Sequence, residues 1–129
     1  MSRLDRTETA LNEATPGDER DTTSPAAMLE NLRNIVLGNA LSRPSRDQLT
    51  HWMIANKTGD KRLLAGLPSD WRVGDKTGTG DNGVANDMAV IWPPDRGPIL
   101  VTAYYVQPAG SDDERNAIFP KIGELVAKI

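Results

Sequence analysis

The sequence predicts an α+β fold, an α-β sandwich in which helices flank a three-stranded antiparallel sheet. Over residues 24–68, apolar side chains recur every three or four positions, which is the period of an amphipathic helix. Within residues 69–129, three extended apolar runs are joined by short connections rich in glycine and proline, and a helical pattern follows. The 129 residues, 38% of them hydrophobic and 26% charged, have room for one core or for part of one.

The first region, residues 1–23, is rich in charges and threonines and has only scattered apolar side chains. An irregular segment of this length is either a functional loop or a disordered tail, and composition alone favours the tail. Arg6 and Asp21 are placed to pair across the base of a loop and to hold its ends together. An exposed pair of this kind contributes only about 0–1 kcal/mol.

Residues 24–68 are predicted to form two helices and a short turn. Ser24 followed by Pro25 matches an N-cap with proline in the first turn. A second helix is predicted to start at Ser45, where Ser-Arg-Asp-Gln matches a capping box. The apolar positions of these elements are Met28, Leu29, Leu32, Ile35, Val36, Leu49, Trp52, Met53, Leu63, Leu64 and Leu67.

Three strands are predicted, over Trp71–Thr77, Asn86–Trp92 and Ile99–Val106. The glycine-rich segment 78–83 and the proline-rich segment 93–98 are turn signals. Because both connections are short, the strands are expected to be antiparallel neighbours.

A last helix is predicted to start at Ser111, where Ser-Asp-Asp-Glu matches a capping box with acidic residues in the first turn. Pro120 is expected to kink this helix, since proline cannot donate a backbone hydrogen bond. The apolar face consists of Ile118, Ile122, Leu125, Val126 and Ile129.

The third predicted strand, Ile99–Val106, is apolar almost throughout. A continuous apolar run indicates a strand that is covered on both faces. In a three-stranded meander it would also be an exposed edge, an arrangement that proteins avoid because such edges aggregate. We therefore expect strands from outside this chain to pair with it.

Composition excludes several classes of function. The absence of cysteine excludes a disulfide framework and a thiolate metal site, and we expect neither metal nor cofactor. The net charge of −3 argues against nucleic-acid binding, and no run of about 18 apolar residues predicts a membrane span. No signal peptide is visible, which suggests a cytosolic protein, a mature form or a recombinant piece of a longer protein.

Lys76, Thr77 and Gly78 end the first predicted strand. Three such residues recur often by chance, and on their own they indicate a solvated strand end before a turn. The alternative is a binding site, because an ammonium group and a hydroxyl can hold a carboxylate while a glycine lets the ligand lie along the backbone.

Glu8 and Asn12 stand four residues apart in the first region. In helical geometry they share a face and can hold one water between them, which is a general-base arrangement. Without further context, solvated polar side chains are the favoured interpretation.

The sequence resembles the class A serine β-lactamases. Leu4–Ala14 and Pro16–Pro25 are similar to the omega loop of that family and to the helix start after it. Gly74–Gly80 (GDKTGTG) resembles the family's Lys-Thr-Gly strand, and Asn86–Pro93 (NDMAVIWP) resembles its next strand. The resemblance runs in order over essentially the whole chain from Leu4.

The resemblance implies that the sheet is an incomplete part of the five-stranded β-lactamase/transpeptidase-like fold. Residues 1–23 would be the omega loop, 24–68 a helical segment, and 69–129 the sheet and the C-terminal helix. All three would belong to one unit whose N-terminal half is absent.

Roles for the loop residues follow from the same resemblance. Glu8 falls on the general base that activates the deacylating water, and Asn12 falls on the residue that helps to position this water. Arg6 and Asp21 would close the neck of the loop.

Roles for the strand residues also follow from it. Lys76 and Thr77 would bind the substrate carboxylate, and Lys76 would tune the charge of the site. Gly78 belongs to the same Lys-Thr-Gly motif and would lie beside the bound substrate. The backbone N–H of Thr79 would form half of an oxyanion hole.

Two positions depart from the family pattern. Many members carry a carboxylate-binding arginine on the next strand, where this chain has Ala85. Arg62 matches the place of a substitute arginine in some members, and a plain surface arginine is the equally weighted alternative. The residue after the general base is often a cis proline, and here it is Thr9, which leaves the geometry of that peptide open.

The nucleophile of the family, in Ser-x-x-Lys, and its Ser-Asp-Asn motif are both missing. Thr58 and Lys61 have the first spacing by chance, and a free-standing enzyme built on them is the least favoured interpretation. His51 is the only histidine, and it is predicted to lie on the surface of a helix.

The leading hypothesis is the C-terminal half of a class A β-lactamase, inactive alone and active on β-lactam antibiotics with its N-terminal half as a second chain. The resemblance implies a periplasmic or secreted parent enzyme that confers antibiotic resistance. The alternative is a non-catalytic complementation module that assembles with a partner fragment through strand addition.

Overall fold

A three-stranded antiparallel sheet in the order β1–β2–β3 is the centre of the fold, which confirms the predicted class. The computed structural model describes residues 1–129. The strands are β1 (Arg72–Gly80), β2 (Val84–Trp92) and β3 (Ile99–Val106). The helices are α1 (Pro25–Leu32), α2 (Arg43–Ile54), α3 (Asp112–Asn116) and α4 (Ile118–Val126). A π-helical turn, Arg33–Leu37, continues α1, and short 3-10 turns form at Ala10–Asn12 and Leu63–Gly66.

The first two strands are longer than predicted, whereas β3 has the predicted bounds. The prediction ended β1 at Thr77, but pairing continues to Gly80, which lies opposite Val84 of β2. The three-residue turn between them contains Asn82 and Gly83 at φ values of 56° and 75°. Asparagine and glycine adopt this left-handed region most readily, so a tight turn is possible and the strand end stays extended.

Of the first two helices, α1 begins where predicted and α2 does not. Ser24 caps α1 by accepting a hydrogen bond from the Ala27 N–H at 3.2 Å. The capping box predicted at Ser45 is wrong, because Ser42 is the N-cap and its hydroxyl accepts the Ser45 N–H. Pro44 lies inside the first turn, where its missing N–H costs no hydrogen bond.

The C-terminal helix is divided in two. The capping box at Ser111 is present, with reciprocal hydrogen bonds between Ser111 and Glu114. The helix breaks at Ala117, because Pro120 has no N–H to donate to the carbonyl of Asn116. The predicted kink is therefore a break between α3 and α4. None of the helices is long and apolar enough to cross a membrane.

Helices cover both faces of the sheet, as a sandwich requires. One face packs on α4 and the turn Leu63–Gly66, and the other packs on α1 and α2. The buried residues of the first face are Leu63, Val73, Ala85, Ala89, Ile91, Ala103 and Phe119, and those of the second are Leu32, Val36, Met53 and Val90. A side chain at Gly123 would lie 2.4 Å from the Leu63 carbonyl oxygen, so this glycine allows α4 to press the turn against β1 and β2.

The outer edges of the sheet are β1 and β3. No strand of the chain pairs with the outer side of β3, and Val106 at its end is 62% exposed. The expectation that outside strands pair here stays a prediction.

Candidate active site

The first region is a loop closed at its neck by ion pairs, so the interpretation as a disordered tail is wrong. Arg6 Nε donates to Asp21 Oδ2 at 2.6 Å, and Arg6 Nη1 lies 2.5 Å from Glu13. Asp21 Oδ1 also accepts the backbone N–H groups of Asp5 and Arg6 at 2.6 and 2.9 Å. The hydrogen bond from Arg6 lowers the pKa of Asp21 below its ordinary value. The pairing predicted for Arg6 and Asp21 is therefore present.

The far side of the loop is fastened to the turn between β1 and β2. The Asp81 N–H donates to the carbonyl of Asn12 at 2.7 Å, and Asn82 Nδ2 donates to the carbonyl of Glu13 at 2.9 Å. These two bonds place the Ala10–Asn12 turn beside the end of β1. The loop therefore presents its side chains to the strand end.

Glu8 and Asn12 form the predicted pair. Asn12 Nδ2 donates to Glu8 Oε2 at 2.7 Å, and the peptide between Glu8 and Thr9 is cis. Glu8 is exposed at the mouth of the loop. Its second carboxylate oxygen has no partner within the chain and is available to accept a proton from a water molecule.

An open cleft of about 580 Å³ separates the loop from the strand end. Its lining includes seven of the nine predicted site residues: Arg6, Glu8, Asn12, Asp21, Lys76, Gly78 and Thr79. The other two, Arg62 and Thr77, are buried and do not line it. A carboxylate and an ammonium group thus face one space at the free edge of β1.

Two residues of the Lys-Thr-Gly motif are positioned by contacts with neighbouring elements. A side chain at Gly78 would meet Asn86 Oδ1 at 2.4 Å, so any larger residue would require the Asn86 side chain to move. Thr77 is buried, and its hydroxyl lies 2.6 Å from the hydroxyl of Thr58. Thr58 does not meet Lys61, whose ammonium group reaches Asp113 at 4.0 Å on the surface.

Arg62 is 6% exposed, so the interpretation as a surface arginine is wrong. Its Nη1 donates to the Gly78 carbonyl at 2.8 Å and also to the Asn86 carbonyl. Its Nη2 donates to Thr79 Oγ1 at 2.7 Å. Ala85 lies directly opposite Thr79, so Arg62 brings a guanidinium group to the strand end where β2 has only a methyl group. Burial lowers the pKa of Arg62, and the charge of nearby Asp87 opposes this shift.

Two residues that the sequence analysis missed hold Arg62 in place. Asn116 Oδ1 accepts the Arg62 Nε–H at 2.9 Å, and the Phe119 ring centroid lies 5.3 Å from the guanidinium carbon. Together with the strand contacts, these bonds use four of the five guanidinium N–H groups. The fifth N–H, on Nη2, has no hydrogen-bond partner within the chain. Asn116 is 54 positions away in sequence, so no local pattern could have revealed this contact.

Asp87 is a third residue that the sequence analysis missed. It is fully buried on β2, its Oδ2 accepts the Leu63 N–H at 3.1 Å, and its Oδ1 has no hydrogen-bond partner. Burial, together with the charge of Asp75, raises its pKa from 3.8 to about 7. The bond to Leu63 anchors the residue directly after Arg62.

Asp87→Asn is expected to flatten the pH dependence of stability. Because the folded pKa of about 7 lies above 3.8, the folded state holds the proton more tightly, and stability falls as pH rises from about 4 to about 7. The stability of the variant relative to the original protein should therefore increase by about 2–4 kcal/mol between pH 4 and pH 8. Urea unfolding at pH 4, 6 and 8 measures this difference, with Asp95→Asn in an exposed turn as the control. Parallel profiles for the original protein and Asp87→Asn would contradict the expectation.

A cleft that holds a carboxylate and an ammonium group at a sheet edge is typical of a hydrolase site. The sequence profile of the β-lactamase enzyme family matches residues 1–129, so the chain belongs to that family. β-Lactamase OXY-1 of Klebsiella oxytoca is 49% identical over 126 residues, which are 98% of this chain and 43% of that protein. β-Lactamase CTX-M-8 of Citrobacter amalonaticus is 49% identical over 124 residues, which are 96% of this chain and 43% of that protein.

The similar solved structures are class A enzymes. An ancestral (GNCA) class A β-lactamase superposes with a TM-score of 0.95 at 61% identity, over 98% of this chain and 49% of that one. The chain thus spans less than half the length of the relatives and structures that it matches.

Proposed function

We propose that this chain is the C-terminal half of a class A serine β-lactamase that hydrolyses the β-lactam amide through a serine acyl-enzyme. The observation that carries the proposal is the Glu8–Asn12 pair, held at 2.7 Å in the same cleft as Lys76 and Thr79. The chain would contribute the deacylation base and the carboxylate-binding strand. It requires no cofactor.

In this mechanism, the substrate lies along the free edge of β1. Its carboxylate accepts hydrogen bonds from the hydroxyl of Thr77 and from the remaining N–H of Arg62, and Lys76 balances its charge. The hydroxyl of Thr79 accepts a bond from Arg62, which leaves its own proton to donate to the substrate. These contacts orient the lactam ring for attack by a serine that the chain lacks.

Deacylation would use the loop. Glu8 takes a proton from a water that Asn12 helps to hold, and the oxygen of that water attacks the ester carbonyl carbon. The oxyanion that forms accepts a hydrogen bond from the backbone N–H of Thr79. Collapse of this intermediate breaks the ester bond and returns the proton to the serine oxygen.

The chain holds neither Ser-x-x-Lys nor Ser-Asp-Asn, so the proposal requires a partner that carries both motifs. That partner is the N-terminal half, whose strands would pair with the open edge of β3. The whole protein would act in the periplasm or outside the cell, where β-lactam antibiotics reach it.

A second candidate function rests on β3 alone. Its unpaired edge and the exposed Val106 fit a complementation module that assembles with a partner fragment without taking part in chemistry.

The test is to mix the chain with the N-terminal half of the ancestral class A enzyme that is 61% identical to it. The mixture is expected to hydrolyse nitrocefin, whereas each half alone is expected to be inactive. Hydrolysis by the isolated chain would contradict the proposal. A mixture that assembles on gel filtration and keeps the same activity when Glu8 is replaced by alanine would support the complementation module instead.

A further inference from the structure

Four polar side chains form a hydrogen-bonded row behind the end of β1. Asp75 is 3% exposed, and its Oδ2 accepts a bond from Asn56 Nδ2 at 2.8 Å. Asn56 Oδ1 lies 2.9 Å from Thr58 Oγ1, which in turn lies 2.6 Å from Thr77 Oγ1. The row therefore leads from a buried carboxylate to the hydroxyl that would meet the substrate carboxylate.

The direction of every hydrogen bond in this row follows from its partners. The backbone N–H of Thr58 lies 3.2 Å from the side chain of Asn56 and can only donate, so the atom that faces it is the amide oxygen. That oxygen only accepts, so the hydroxyl of Thr58 donates to it. Because a hydroxyl has one proton, the 2.6 Å contact must be donated by Thr77.

The proton of Thr77 is therefore directed to the hydroxyl oxygen of Thr58. A carboxylate bound at the β1 edge needs that proton, and Thr77 must turn it outward. The oxygen of Thr58 then loses the bond that it was accepting. The hydrogen bond between the two hydroxyls forms again, in the opposite direction, if Thr58 turns its own proton from Asn56 to Thr77.

We propose that Thr58 is a positioning residue whose hydroxyl reverses direction when a β-lactam carboxylate binds to Thr77. Asn56 tolerates the reversal, because its amide oxygen still accepts the backbone N–H of Thr58. Asp75 holds the amide group of Asn56 in one orientation throughout. A proton donated into the oxygen of Thr77 also strengthens the bond that Thr77 donates to the substrate. The inference rests on the proposed function, since it concerns recognition of the same substrate.

The test compares Thr58→Val and Thr58→Ser in the chain assembled with the N-terminal half of the ancestral enzyme. Valine has nearly the same shape as threonine but no hydroxyl, and serine keeps the hydroxyl. Each assembly is assayed with nitrocefin and with its methyl ester, which lacks the free carboxylate. Thr58→Val is expected to raise KM for nitrocefin about three- to tenfold, with kcat and the kinetics of the ester unchanged. Thr58→Ser is expected to match the original chain.

Two results would overturn the inference: an unchanged KM in Thr58→Val, or an equal loss on the acid and the ester. Thr58 is exposed, so the valine variant is expected to assemble. Thr58→Ala serves as a second variant without a hydroxyl. It must likewise raise KM for nitrocefin and leave the kinetics of the methyl ester unchanged. If the original assembly is inactive on both substrates, the proposed function fails and the inference falls with it. If the original assembly is active and Thr58→Val behaves like it, only the inference fails.

Discussion

Glu8→Gln in the assembled protein is expected to lower steady-state nitrocefin turnover about 1000-fold while the acyl-enzyme still forms. Glutamine keeps the size of the side chain and can still meet Asn12, but it cannot take a proton from water. Acylation by the serine of the other half does not need this proton transfer in the proposed mechanism. The trapped ester should therefore accumulate.

The measurement is a burst of about one equivalent of product followed by a slow phase, with the acyl adduct seen by intact mass on the N-terminal half. Glu19→Gln is the matched control, since its side chain is on the same loop and is 86% exposed. It should turn over at the original rate. Turnover by Glu8→Gln within a few-fold of the original, or slow turnover without an adduct, would contradict the role of Glu8.

Arg62→Ala is expected to lower kcat/KM for nitrocefin about 100-fold and to destabilise the protein by about 2–4 kcal/mol. In the proposed mechanism, the loss of binding follows from the remaining guanidinium N–H, which donates to the substrate carboxylate. The loss of stability follows because the carbonyls of Gly78 and Asn86 lose their buried donor. Arg62→Lys keeps the charge but cannot reach both carbonyls and Thr79 at once, so it should recover only part of the affinity.

The effect of Arg62→Ala on KM should depend on the substrate carboxylate, and this separates binding from folding. The methyl ester of nitrocefin should show little change beyond any loss of folded protein. Arg33→Ala on the exposed surface of the π-helical turn is the control, since the Arg33 side chain is 68% exposed. A variant that loses stability but keeps its preference for the free acid would leave Arg62 with a structural role only.

Much of the fold follows from local patterns. The β3 bounds, the Ser111 capping box and the Ser24 cap depend on a few neighbouring residues, and the structure has them as predicted. The start of α2 was wrong because Ser42 and Ser45 are both good caps, and only the packed structure decides between them. The early end predicted for β1 reflects its glycines, whose preference for turns is overridden by pairing with β2.

The site could be predicted only where a family resemblance supplied the roles. The roles predicted for Glu8, Asn12 and Lys76 came from it, and the structure brings these three residues to one cleft. Asn116, Asp87 and Thr58 were missed as supporting residues, since each acts through a contact between distant segments. Their own sequence neighbourhoods suggest only a capped helix, an apolar strand and a linker.

The loop of residues 1–23 has no buried residue, and ion pairs and hydrogen bonds are its main attachments. Opening it therefore exposes little apolar surface, so it can detach while the sheet remains folded. Acid favours this event, because Arg6 lowers the pKa of Asp21 and the attraction between them is lost once the pH falls through that value. The segment that carries Glu8 is thus expected to open by itself, and amide hydrogens at the Arg6–Asp21 neck should exchange with solvent long before those of β2.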